Sequence, residues 1–187
     1  MKKALSLIAV AAAFMTLTAF TFMEEGGGKY IGSNSCKGCH NTDKTGKQYA
    51  KWEATPHAKA FKTLQSAEAD KIAAGKGFKT KAAETPECLA CHISGKNDKA
   101  PAYDASFKND EGIGCEACHG GGSGFKMLHM KKENLDKAKA AGLLLPNAAD
   151  GSAEKMCKEC HNAKSPTHKE FKFAEMWKKI AHPLPAK

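Results

Sequence analysis

The 187-residue chain contains no arginine; all 29 of its basic residues are lysine. Aromatic residues make up only 7%, and Phe14, Phe20 and Phe22 fall in an N-terminal apolar run. The remainder has few large side chains with which to fill a core. No alternating run of the kind that makes a strand is convincing, and no segment after residue 23 is long and apolar enough to span a bilayer. Each absence excludes something. Without arginine there are no bidentate contacts to phosphate or guanine, so the net charge of +9 does not mark a nucleic-acid-binding protein. Without strands the fold class is mainly α, with little regular β structure.

What the chain does have is one motif, four times over. Cys36, Cys39 and His40 read C-x-x-C-H, as do Cys88, Cys91 and His92, Cys115, Cys118 and His119, and Cys157, Cys160 and His161. Together they use all 8 cysteines, which leaves no thiol over for catalysis. C-x-x-C-H is the attachment pattern of a c-type haem. Two thiols one helical turn apart can each add to one of the two vinyl groups on a porphyrin edge. The histidine that follows then binds the iron from the proximal side. Disulfides and zinc sites are the other uses of an even cysteine count, and neither explains a histidine at the same offset every time. The expectation is four covalently bound haem c groups. The motifs are unevenly spaced, so no tandem repeat is visible. Gly120, Gly121, Gly122 and Gly124 follow the third motif and let the backbone pass close to a flat ring.

Lys2 and Lys3 precede an uncharged apolar run, and charge resumes at Glu24. Residues 1–23 read as a secretory signal, residues 24–187 as a single tetrahaem cytochrome domain. Covalent haem attachment takes place outside the cytoplasm, so the expected location is periplasmic or extracellular. The run is also long enough to be an uncleaved anchor, and only in that case does the membrane become a partner. With roughly forty residues per haem, the porphyrins are expected to form most of the hydrophobic interior, and the haem-free chain is not expected to fold. The lysine excess would balance haem propionates, bring the loaded protein close to neutral and leave a docking surface for redox partner proteins. Near-neutrality is compatible with self-association.

Short helices are expected over residues 44–53, 57–74, 131–141 and 171–181 and at the motifs themselves. Ser35 is expected to cap the first motif helix and Thr55 the helix at 57, with Pro56 at its first position. Asp150 or Ser152 is expected to cap the helix of the fourth motif.

Four histidines remain after the proximal set: His57, His129, His168 and His182. Haem iron in a carrier takes two axial ligands, and four irons match four unassigned histidines. Met127, Met130, Met156 and Met176 compete for the same role or pack in the interior.

The order Cys36-Lys-Gly-Cys-His40, Trp52-Glu-Ala-Thr-Pro-His57, Gly114-Cys115-Glu-Ala-Cys118-His119-Gly120 with His129, and Phe171-Lys-Phe173-Ala-Glu-Met176 with His182 resembles the tetrahaem cytochrome c-554 family. Members are small, mainly helical electron-transfer proteins. The resemblance implies crossed ligation, with His129 serving the haem of His40, His57 that of His119, and His182 that of His161. Haems one and three would then be clamped between the same two segments and stacked. The chain departs from the family at the second haem, where a proline–aromatic segment covers an open iron face. Ser165-Pro166-Thr167-His168 stands there instead, and His168 is expected to close the iron of His92. The function so implied is electron transfer between redox partners through closely packed, mostly bis-histidine haems, not enzymatic catalysis. Two alternatives remain: reduction of a small nitrogen oxide at an open second haem, and a subunit of an extracellular cytochrome filament.

Overall fold

A computed structural model describes residues 28–182 and Pro185. The expected signal over residues 1–23 lies outside the described residues. The architecture is mainly α, as expected. Nine short helices occur among the described residues: α1 Asn34–His40, α2 Gln48–Glu53, α3 Ala60–Thr63, α4 Ala67–Gly75, α5 Pro86–His92, α6 Glu116–His119, α7 Leu135–Ala140, α8 Ser152–Lys158 and α9 Phe173–Ile180. Extended pairing among these residues is limited to one isolated parallel bridge between Tyr30 and Tyr103.

The helices are short because polar caps and glycines interrupt them. The single helix expected over residues 57–74 is broken into a 3-10 turn at His57–Lys59 followed by α3 and α4. Ser66 adopts an extended conformation and accepts from Ala69 N–H, so it starts α4 afresh. Thr55 does not cap; its hydroxyl donates back to Trp52 O at 2.7 Å. Ser35 lies inside α1 and donates to Ile31 O. Ahead of α8, Asp150 accepts from Ser152 N–H at 2.9 Å while Gly151 occupies the capping position itself.

Two small apolar clusters form. Leu64, Ala73 and Ala82 pack with Phe61, Phe78 and Leu89 beneath α5. Phe125, Ala138 and Leu143 pack with Leu128 and Leu135 behind the glycine loop. Neither is large enough to serve as the core of the whole chain. Polar contacts fix the rest. Glu116, only 3% exposed, accepts from the backbone N–H groups of Ile31, Gly32 and Gly122. Its carboxylate thus gathers the lead-in to α1 and the glycine loop onto α6. Ser33 N–H donates to Glu111, and Cys115 N–H donates to Ser33 Oγ at 3.1 Å. Trp52 Nε1–H donates to Ile113 O at 2.8 Å, and Ile113 N–H to His57 O at 3.0 Å.

Candidate metal centres

The C-x-x-C-H residues lie on or beside helices. α1 and α5 each contain a whole motif, Cys115 directly precedes α6, and Cys157 lies in α8 with Cys160 and His161 just beyond its C-cap, Glu159. Positions three apart share a helix face, so each cysteine pair presents its thiols to the same side. All eight cysteines are free of disulfides.

The motifs are brought together in pairs. Cys36 lies near Cys115 and Cys91 near Cys160, close enough for each thiol to shift the ionisation of the other. The Cys36 side chain pulls the Cys115 thiol below its ordinary range, and Cys36 is pushed up in return. Cys91 is pulled down to about 7 by Cys160, which rises. Burial raises Cys118 to about 11, with Cys157 adding to the effect. The first motif therefore adjoins the third, the second adjoins the fourth, and the third lies close to the fourth.

The histidines show which nitrogen is available. The Nδ1–H of His92 donates to Ala60 O at 2.7 Å, that of His119 to Leu144 O at 2.9 Å, that of His129 to Phe125 O at 3.0 Å and that of His182 to Ile180 O at 2.8 Å. His40 Nδ1 pairs with Gln48 Oε1 at 2.6 Å. A carbonyl oxygen can only accept, so Nδ1 carries the proton and a neutral ring keeps its lone pair on Nε2. An outer partner on Nδ1 is the arrangement that metal-binding histidines show. Burial also disfavours the protonated forms of His57 and His119.

Three pairs of rings face each other. His40 and His129 lie with centroids 5.8 Å apart and planes at 12°, and their Nε2 atoms are 3.5 Å apart. His119 and His182 are 6.0 Å apart at 67°, His57 and His161 5.9 Å apart at 70°. Metal–imidazole bonds of about 2 Å put two axial nitrogens about 4 Å apart and two ring centroids roughly 6 Å apart. Two lone pairs at the His40–His129 distance repel unless an electrophile lies between them. The His40–His129 donor set fits iron held between imidazoles, and the centroid distances of the other two pairs are compatible with the same arrangement.

The partners differ in part from those the resemblance implies. His129 faces His40 as expected, but His57 faces His161, and His182 faces His119. The reason lies in two long-range contacts. Gln48 Nε2–H donates to His182 O at 3.1 Å and draws the C-terminal segment back beside α1 and α2. Ile113, anchored to Trp52, holds the backbone at His57. The neighbourhood of the first and third motifs, expected from crossed ligation, arises instead through Ser33, Glu111 and Glu116.

His168 makes no ring contact with His92 among the described residues. It is exposed, and its charge acts on His161, where it adds to the burial that lowers that ring. Met127, Met130 and Met176 are exposed. Gln48 and the carbonyls of Ala60, Phe125, Leu144 and Ile180 were not foreseeable, because a backbone acceptor has no residue-type signature.

Among the described residues no helix is long and apolar enough to cross a membrane. The family described as Cytochrome c554 and c-prime matches residues 35–120, a stretch that holds the first three motifs. The chain is similar to Cytochrome c-554 of Nitrosomonas europaea, 28% identical over 200 residues, covering 91% of this chain and 81% of the relative. No solved structure matches.

Proposed function

Because the chain belongs to the cytochrome c-554 family, a family of c-type cytochromes in electron transfer, we propose that it is a four-haem carrier whose irons are held mostly by histidine pairs and which works outside the cytoplasm. Haem, when bound, supplies a one-electron couple at each iron. The protein's part is to hold and space the sites. The observation that carries the reading is the His40–His129 pair: two rings with Nδ1 already paired and Nε2 atoms opposed at 3.5 Å. His57 with His161 and His119 with His182 stand at similar centroid distances, and His119 and His182 also have Nδ1 paired with a carbonyl. The nearness of Cys36 to Cys115 and of Cys91 to Cys160 supports closely spaced sites, which would favour fast exchange between them. Exposed lysines, among them Lys131 and Lys132, suit docking to acidic redox proteins.

Intact-mass measurement of the mature protein tests this directly. Four added haem masses are expected, and fewer would sink it. The oxidised protein should be mainly low-spin.

A second reading is reduction of a small nitrogen or oxygen species at the second motif. One observation favours it: His92 has its Nδ1 partner, but His168 is exposed and makes no ring contact with His92 among the described residues. A high-spin component that shifts with cyanide or nitric oxide would support this reading. A wholly low-spin spectrum would instead support closure by His168.

A further inference from the structure

Gln48 is half-buried in the first turn of α2 and touches two of the histidine pairs at once. Its Oε1 is 2.6 Å from His40 Nδ1, and its Nε2–H donates to the backbone carbonyl of His182 at 3.1 Å. The second contact decides the first. A carbonyl can only accept, so the amide nitrogen must face His182 and the amide oxygen must face His40. An oxygen facing His40 requires the proton to be on Nδ1, which leaves the lone pair on Nε2, the atom 3.5 Å from His129. The C-terminal segment thereby sets the tautomer of a histidine 142 positions before it, through one amide.

The backbone agrees. Lys47, directly before Gln48, is the one non-glycine residue at positive φ among the described residues, at 51°. That conformation is unfavourable for an L-residue and is held by a hydrogen bond from its N–H to Thr42 O and an ion pair with Asp43. It places the start of α2 where the amide reaches both partners. The other rings pair Nδ1 with backbone carbonyls, His92 with Thr63 Oγ at 3.3 Å as well. Gln48 is the sole Nδ1 partner of His40 among the described residues, and as a side chain it is one that mutation can alter.

We propose that Gln48 is a positioning residue that fixes the tautomer and basicity of His40 and couples that ligand to the segment carrying His182. This rests on His40 being an iron ligand, as in the reading above. An acceptor on Nδ1 makes the imidazole more electron-donating and favours ferric iron. Losing it should raise the potential of that site, and a negatively charged acceptor should lower it.

The test uses the haem-loaded protein with Gln48→Leu and Gln48→Glu, followed by redox titration and electron paramagnetic resonance. Gln48→Leu is expected to raise one of the four potentials, and Gln48→Glu to lower the same one. Each shift should be on the order of tenfold in the ferrous-to-ferric ratio, about 59 mV for a one-electron couple. The resonance of the His40 site should change with it, and that of the His57–His161 site should not. A purely structural role would move both variants the same way, and that result overturns the proposal. Unchanged potentials with four haem masses and low-spin iron also overturn it, leaving the carrier reading intact. Missing haem masses in the unsubstituted protein defeat the carrier reading itself. If Gln48→Leu does not assemble, Gln48→Glu retains the acceptor and decides alone: a lowered potential supports the proposal, an unchanged one ends it.

Discussion

The rings of His40 and His129 are nearly parallel, at 12°, although 89 residues separate them. The other two pairs are closer to perpendicular, at 67° and 70°. Parallel axial planes split the iron d orbitals rhombically, whereas perpendicular planes leave them nearly degenerate. The oxidised protein should therefore show one ordinary rhombic low-spin signal and two strongly anisotropic ones. His129→Ala should remove the rhombic signal and add a high-spin one while all four haem masses persist. Loss of an anisotropic signal instead would show that His129 serves another iron.

Glu116 supplies a pH dependence. Burial raises its carboxyl above the ordinary value of 4.5, against the opposing pull of the Ile31, Gly122 and Gly32 N–H donors. A carboxyl that is harder to ionise in the folded state holds its proton more tightly there than in the unfolded chain. The linked stability is complete below pH 4.5 and is lost as pH rises through the raised folded value. The stability of the haem-loaded protein minus that of Glu116→Gln, from denaturant unfolding, should decline as pH increases over that window. A difference that grows with pH would mean that the fold prefers the carboxylate.

Glycine positions separate close approach from mere sequence pattern. A Cβ on Gly121 would collide with the backbone of Gly28, and a Cβ on Gly38 meets nothing within 4 Å. Gly121→Ala should sharply reduce the yield of fully loaded protein, because the glycine loop cannot then lie against the lead-in. Gly38→Ala should be tolerated and slightly stabilising, by about 0.5–1 kcal/mol, as alanine is favoured over glycine within a helix. The second and third motifs already carry Ala90 and Ala117 at the equivalent place. Equal haem stoichiometry in both variants would refute the contrast.

His168→Ala distinguishes the two states of the second site. With His168 exposed and without a ring contact to His92 among the described residues, the substitution should leave the fraction of high-spin iron unchanged. A rise in that fraction would make His168 the sixth ligand of the His92 iron, as the sequence leads one to expect.

The sequence by itself determined the chemistry of attachment. A thioether bridge needs two thiols a turn apart and a ligand beside them, so Cys36 to His40 and its three counterparts declare themselves locally, as do the helices that carry them. The absence of arginine, the scarcity of aromatics and the four further histidines were equally readable, because each depends on residue type alone. Only the tertiary structure decided the pairing. His182 is nearer in sequence to His161, yet it faces His119, because the Gln48 amide holds its carbonyl and the buried carboxylate of Glu116 gathers two segments onto α6. Such contacts join residues tens of positions apart through backbone groups common to every amino acid. No pattern along the chain encodes them, and which imidazole lies opposite which depends on them.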